Sequence, residues 1–283
     1  VTARGLVEDI VARALREDAP WGDLTAAAFL PEPSTATADL VAREAGVFSG
    51  GDAFRAAFAL TDPAIRVFEV AAEGTPFQPG DVLARVAGPA RSVLEAERVG
   101  INLAQRLSGV ATLTARFVAA VAGTGVRIAD TRKTTPGLRV LERAAVRAGG
   151  GANHRFSLSD AVMVKDNHLV VLTASGASLT EALRAGISRL PHTAHVVVEV
   201  DRLDQIEPVL AAGVDTILLD NFSLPDLRAG VQQVAGRAQV EASGGVTLRR
   251  VAEIAATGVD VISVGALTHS ATAIDLGLDV RVA

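Results

Sequence analysis

The sequence predicts an α/β protein, with a small mixed α/β domain followed by a larger domain of parallel strands joined by helices. Two patterns carry this prediction. Beyond residue 121, short β-branched runs alternate with helix-period stretches of about ten residues, as parallel strands with crossover helices do. The last four runs, 195–200, 216–220, 239–243 and 261–265, recur about 22 residues apart, one strand–helix unit each. Composition agrees: 49% apolar and 21% charged residues in a chain of 283 suffice for a packed core and exclude disorder as the main state.

Val1 to Leu15 places Leu6, Val7, Ile10, Val11, Ala14 and Leu15 between Arg4, Glu8, Asp9 and Arg13, which predicts an amphipathic helix and not a signal peptide. Asp18 to Thr25 reads as a turn-rich crossing. Residues 36–43 alternate, 46–50 is short and apolar, Asp52 to Leu60 has helix spacing, and 64–71 and 82–87 suit strands. Ser92 to Val121 is helical, with an interruption expected at Ser108-Gly109. Six strands follow, at 126–130, 161–165, 195–200, 216–220, 239–243 and 261–265. A closed TIM-type barrel needs eight. Either strands are hidden in helical stretches, the barrel is incomplete, or the sheet is open and doubly wound. Ile274 to Val282 alternates like a strand and is expected to return to the N-terminal sheet.

Several function classes drop out. No apolar run reaches the ~18–20 residues of a membrane helix. A net charge of −5, 4% aromatic residues and no Tyr argue against a nucleic-acid groove. The absence of Cys excludes disulfides, thiolate metal sites and a cysteine nucleophile. A soluble cytoplasmic protein is the expectation.

Of 27 Lys and Arg residues, only Lys133 and Lys165 are Lys. In a chain that otherwise uses Arg, retained Lys marks positions where a compact ammonium serves better than a planar fork. Asn is scarce too, yet Asn153, Asn167 and Asn221 each adjoin a His or Asp in the segments that follow strands.

Chemistry in parallel sheets gathers where strands end. Those ends are Asp130, Lys165, Glu199, Asp220, Ser243 and Gly265. Arg132, Lys133 and Arg139 follow the first, His154 and Arg155 follow Gly149-Gly150-Gly151, and His168 follows Lys165, so cations from three segments meet at one mouth of an acidic protein. Such a mouth suits a polyanion, and the glycines would let backbone approach it. Ser243-Gly244-Gly245, leading into a helix expected near Thr247, and Gly265-Ala266 suit a phosphate monoester. Glu199 and Asp220 stand between and could bind Mg²⁺, hold sugar hydroxyls or face a developing cation. A glycosidase acid/base pair would need neither the cations nor the phosphate seat.

The motifs DTRKTTPGLR (130–139), GGGANHR (149–155), KDNH (165–168), EVD (199–201), LLDN (218–221), EASGGV (241–246) and ISVGALTHS (262–270) resemble those of the quinolinate phosphoribosyltransferases, or nicotinate-nucleotide pyrophosphorylases (carboxylating). EDAPWGDLT (17–25) and ERVGINLAQRLSGVAT (97–112) are similar to that family's N-terminal and interdomain segments, so the resemblance covers nearly the whole chain. Gly100 departs from it, since a better helix former is expected there.

The resemblance implies an N-terminal open α/β sandwich, residues 1–107 with the strand 272–283 returning to it, and an incomplete (β/α) barrel of TIM type over 108–271. It implies a homodimer and the Mg²⁺-dependent reaction of quinolinate with 5-phosphoribosyl 1-diphosphate, giving nicotinate mononucleotide, pyrophosphate and CO₂ on the de novo route to NAD. Arg132, His154, Arg155 and Lys165 would line the quinolinate and pyrophosphate pocket, with Lys133 near the diphosphate and Arg98 reaching the partner's quinolinate. Glu199 and Asp220 would hold ribose hydroxyls and the metal, directly or through water. Ser243, Gly244, Gly245 and Gly265 would bind the 5-phosphate. Lys133, Lys165, Glu199 and Asp220 form the implied catalytic set. The other readings are a sister phosphoribosyltransferase with another acceptor, such as the paralogues found beside molybdate transporters, and a non-catalytic phosphosugar-binding regulator.

Overall fold

The computed structural model describes residues 4–174 and 176–282. Val1 to Ala3 of the expected first helix and Ala283 of the expected last strand lie outside the described residues. The chain forms two compact units, one of Val1–Ala115, Thr134–Gly150 and Leu267–Ala283, the other of Arg116–Lys133 and Gly151–Ala266. The first unit holds strands β1 (Thr35–Ala42), β2 (Gly46–Val47), β3 (Arg66–Phe68), β4 (Pro76–Phe77) and β5 (Val82–Pro89). The second holds β6 (Arg127–Ala129), β7 (Val162–Val164), β8 (Val196–Val200), β9 (Thr216–Asp220), β10 (Gln239–Ser243) and β11 (Val261–Ser263), and β12 (Leu276–Val282) belongs to the first.

In the first unit, β12, β1, β5 and β3 form an antiparallel sheet in that order, while β2 and β4 pair separately. The expected return of the C-terminal strand is seen in the pairing of β12 with β1, where Leu40 opposes Leu278 and Ala42 opposes Leu276. Charge supports that register: Arg281 of β12 and Arg85 of β5 both pair with the buried Asp39 of β1, and Arg43 pairs with Asp279. Beside the sheet, Leu40, Phe48, Phe54, Phe58, Phe77 and Ile101 are buried in one apolar cluster. The Phe54 and Phe58 rings, one helical turn apart on Gly51–Thr61, lie 4.9 Å apart at 59°.

Several local expectations change in this unit. The helix Ala90–Ala120 is continuous through Ser108-Gly109. Gly109 is there for space, because a Cβ on it would lie 1.9 Å from the Thr272 carbonyl oxygen. Gly109→Ala should therefore cost about 3 kcal/mol of stability, read from chemical denaturation, since the obstacle is backbone and cannot rotate away. Gly100 is under a milder constraint, since a Cβ there would press on the Phe58 and Phe54 side chains at 3.2 and 3.3 Å. The crossing at 18–25 contains the start of a helix, Leu24–Phe29, whose first N–H groups are capped by Asp23. The strand expected at 64–71 shortens to Arg66–Phe68, where Glu69 turns to φ +50.

Gly149 and Gly150 also have a structural use. A Cβ on Gly149 would meet the Ala111 carbonyl oxygen at 2.3 Å, and Gly150 takes φ +84, so close packing and a turn each require a glycine here. Nearby, the buried Glu142 accepts from Thr135 N and Oγ1 and from Arg106, which also donates to the Ala271 carbonyl. This network ties 135, 142 and 271 to one side chain of the long helix.

The second unit is a six-stranded parallel sheet in the order β6-β11-β10-β9-β8-β7. Every consecutive pair of strands is adjacent except β6 and β7, which form the two edges. That is the cyclic order of a barrel opened at one seam, and it excludes the doubly wound alternative, whose order reverses from a central strand. The β6 edge is capped by a parallel bridge from Ala129 to Ala152. Asp215 and Asp260, just ahead of β9 and β11, accept the backbone N–H groups of Val196 and Val240, each at 2.7 Å. These bonds pin the N-terminal rim and leave the C-terminal strand ends for the site.

Candidate active site at the C-terminal strand ends

A cavity of about 370 Å³ opens at those strand ends. Arg132, Lys133, His154, Arg155, Lys165, Glu199, Asp220 and Ser243 line it, together with Thr131, Met163, Leu218, Glu241 and Ser263. Eight of the twelve residues expected from sequence are thus brought to one cavity. Gly244, Gly245 and Gly265 follow the strand ends but do not line it. Arg98 lies in the first unit on Ala90–Ala120, exposed and 3.9 Å from the Glu97 carboxylate. Burial raises the pKa of Glu97, and the Arg98 charge opposes the shift.

Each side chain is set by its strand. Asp130, directly after β6, is fully buried and stays out of the cavity; it accepts from His154 N at 2.6 Å and Asn153 Nδ2 at 2.7 Å, which shapes the 153–154 loop. Arg155 donates to the Ala161 carbonyl at 3.1 Å. Burial, and then the charge of Arg132, push its guanidinium below the usual arginine value. Two guanidinium groups that repel each other in one cavity are prepared for an anion between them. The Arg132 Nε is buried without a hydrogen-bond partner.

Lys165, following β7, places Nζ 2.6 Å from Glu199 Oε2 of β8. Its backbone N–H donates to His168 Nδ1 at 2.9 Å, so His168 caps the helix Asp166–Thr173. Asp220, ending β9, accepts from Asn221 Nδ2 at 2.7 Å. Asn221 holds φ +59 and donates its backbone N–H to the Ser243 carbonyl. Gly244 has φ +90, and a Cβ there would lie 2.2 Å from Asn221 Oδ1, so the loops after β9 and β10 interlock. The helix expected near Thr247 becomes regular only at Val251, because Gly244 and Gly245 both take positive φ and the chain then makes a turn at Thr247.

Sequence reasoning missed Glu241, Met163, Leu218, Ser263 and Thr131. The first four follow one rule, each standing two residues before a recognised strand end. Side chains alternate along a strand, so each shares the inner face of that end one layer deeper. Met163 and Leu218 supply apolar wall among the charges.

Fold and cavity together define a two-unit α/β protein whose parallel, incomplete barrel gathers cations opposite carboxylates. Comparison with protein families matches the quinolinate phosphoribosyl transferase N-terminal domain over residues 23–108 and its C-terminal domain over 110–279. The chain is 42% identical to the nicotinate-nucleotide pyrophosphorylase [carboxylating] of Mycobacterium leprae, covering 96% of each. It is 40% identical to a probable enzyme of the same name from Bacillus subtilis, over 93% of this chain and 90% of the relative. The solved nicotinate-nucleotide pyrophosphorylase of Francisella tularensis superposes with a TM-score of 0.91 at 35% identity, covering 99% of this chain and 98% of that one. The chain belongs to the quinolinate phosphoribosyltransferase family.

Proposed function

We propose that the protein transfers the phosphoribosyl group of 5-phosphoribosyl 1-diphosphate to quinolinate with loss of CO₂, forming nicotinate mononucleotide and pyrophosphate in de novo NAD biosynthesis. The observation that carries this reading is the single cavity in which Arg132, Lys133, Arg155 and Lys165 face Glu199 and Asp220. Breaking the bond from ribose C1 to the diphosphate builds negative charge on the leaving group and positive charge on the sugar. Lys133 and the arginines stabilise the first, Glu199 and Asp220 the second. The quinolinate nitrogen is the nucleophile, held by cations on its two carboxylates with Met163 and Leu218 against the ring. Once it is bonded to C1, the C2–carboxylate bond breaks, CO₂ leaves, and the electron pair at C2, stabilised by the adjacent ring charge, takes up a proton. No protein nucleophile is required. Ser243, Gly244, Gly245 and Gly265 are assigned to the 5-phosphate.

Among the described residues, no group of three or more His, Cys, Asp or Glu could hold a metal. Glu199 and Asp220 suit Mg²⁺ as a cation shared with substrate phosphate oxygens, since Mg²⁺ takes oxygen ligands and commonly only one or two carboxylates. When bound, it would neutralise charge on the departing diphosphate. The proposal includes a homodimer with Arg98 reaching the partner's cavity. Trp21, Leu24 and Phe29, 92%, 80% and 82% exposed, support a partner chain over the first unit. It also includes a cytoplasmic location, in keeping with the absence of any helix long and apolar enough to cross a membrane among the described residues. Division into 1–107 with 272–283, and 108–271, is supported by family matches that end at 108 and resume at 110.

Relatives named as carboxylating pyrophosphorylases favour quinolinate over another acceptor. A phosphosugar-binding regulator would have no use for the cation set. The test is turnover of quinolinate and 5-phosphoribosyl 1-diphosphate with Mg²⁺: CO₂ and pyrophosphate are expected in equal amounts, with nicotinate a poor substrate. Efficient use of nicotinate without CO₂ release would overturn the assignment. Glu199→Ala and Asp220→Ala should each lower kcat/KM for 5-phosphoribosyl 1-diphosphate about 100-fold. Quinolinate affinity, read by calorimetry, should hold; the opposite split would reverse the orientation of the site.

A further inference from the structure

Glu241 is a carboxylate the proposed chemistry does not use. It lies in the middle of β10, opposite Leu218 in the sheet register and one inner-face position below Ser243. It is 4% exposed, yet it lines the cavity. Its Oε2 stands 3.4 Å from His154 Nε2, and its Oε1 is buried with no hydrogen-bond partner. A buried carboxylate oxygen left unpaired lowers stability, so a position that keeps one has a use other than packing.

The imidazole shows what that use is. His154 Nδ1 accepts the Arg155 backbone N–H at 2.7 Å, and an accepting ring nitrogen carries no proton. The ring proton therefore resides on Nε2, the nitrogen that faces Glu241. The His154 backbone N–H is itself tied to Asp130 Oδ1. Main chain and both ring nitrogens thus face three separate groups: Asp130, the Arg155 backbone N–H and, from the inner face of β10, Glu241.

We propose that Glu241 is a positioning residue: acting with the Arg155 backbone N–H on Nδ1, it holds His154 as the Nε2–H tautomer in the cavity that Arg132 and Arg155 also line, so that His154 offers a hydrogen-bond donor to the acceptor substrate. The long 3.4 Å separation leaves that N–H able to be shared with a substrate carboxylate oxygen. In its kinetic arm the inference rests on the proposed use of quinolinate; in its spectroscopic arm it does not.

The experiment compares Glu241→Met, which fills the volume with no acceptor, with Glu241→Gln, which keeps an acceptor oxygen. Glu241→Met should raise the KM for quinolinate about tenfold, the loss of one oriented hydrogen bond. The KM for 5-phosphoribosyl 1-diphosphate should stay within about twofold, and the melting temperature should hold or rise because the unpaired oxygen is gone. Glu241→Gln should recover most of the quinolinate affinity. A merely structural role would lower the melting temperature and leave the two KM values unsplit. Independently of turnover, ¹⁵N spectra of the substrate-free protein, with the His154 signal assigned through a His154→Asn variant, should show protonated Nε2 and bare Nδ1 in the wild type and a tautomer mixture in Glu241→Met. A wild-type protein that does not turn over quinolinate would strike the functional proposal and leave the spectroscopic arm standing. A wild-type Nδ1–H tautomer, an unchanged tautomer in Glu241→Met, or equal rises in both KM values would overturn the role of Glu241.

Discussion

Lys165→Arg and Lys133→Arg, although each keeps its charge, should lower kcat/KM by about 30- to 1000-fold, the ~2–4 kcal/mol that a charge-assisted contact made mainly in the transition state contributes. Lys165 reaches Glu199 with one ammonium at 2.6 Å, in a cavity of about 370 Å³ that already contains Arg132 and Arg155. Burial, and then the charge of Arg132, hold the Arg155 guanidinium below the usual arginine value. A third guanidinium adds volume and a planar fork where a point charge with three donors can turn between Glu199 and an incoming anion. Lys133 is exposed at the cavity mouth, where its backbone N–H bonds Thr131 Oγ1, and there a compact ammonium can swing onto an incoming diphosphate that a planar fork meets in fewer orientations. Steady-state kinetics with unfolding curves as the control would check this. Near-wild-type rates in both variants would mean that the scarcity of Lys reflects composition and not chemistry.

The parts of this molecule that sequence makes legible are those with short-range causes. Strands β8, β9 and β11 are buried runs rich in apolar and β-branched residues, so their existence needs no knowledge of their neighbours, and Lys165, Glu199, Asp220 and Ser243, which close four of the six runs, line the cavity. What stayed hidden has long-range causes. Gly109 looks like a helix break in its own segment and becomes a contact point only when Thr272, far along the chain, arrives against it. Arg106 and Glu142 are ordinary charges on two helices until folding buries Glu142 against the half-buried Arg106, 2.8 Å apart. Gly46–Val47 and Pro76–Phe77 pair as strands of two residues, too short to carry a period. Glu241 is the instructive case. In the segment EASGGV the glycines mark the rim, while alternation alone places Glu241 on the face of Ser243, and the same step of two residues inward from Lys165, Asp220 and Gly265 reaches Met163, Leu218 and Ser263. The depth of a site in a barrel is encoded in the strand period, while its rim is encoded in the loops.

The largest expected effect concerns Arg98, which lies on the helix Ala90–Ala120 of the first unit and is 59% exposed on its side chain. If that exposed cation serves the partner's barrel while Lys133 serves its own, Arg98→Ala and Lys133→Ala homodimers should each be nearly inactive. Mixed together after subunit exchange, they should regain activity without any residue being restored. In a mixed dimer the barrel of the Arg98→Ala chain keeps its own Lys133 and receives an intact Arg98 from the other chain, so one site is complete. The second site lacks both residues. Random exchange across a twofold interface makes about half of the dimers mixed, each with one good site of two, so recovery should approach about a quarter of wild type. The reading needs exchange to be verified, by mass spectrometry of differently tagged chains, because unexchanged homodimers also give no recovery. With exchange in hand, a return to about a quarter requires both that the protein works as a dimer and that the cation crosses the interface, since a monomer or a self-serving Arg98 cannot complement at all. No recovery would place Arg98 on its own barrel and end the composite-site reading.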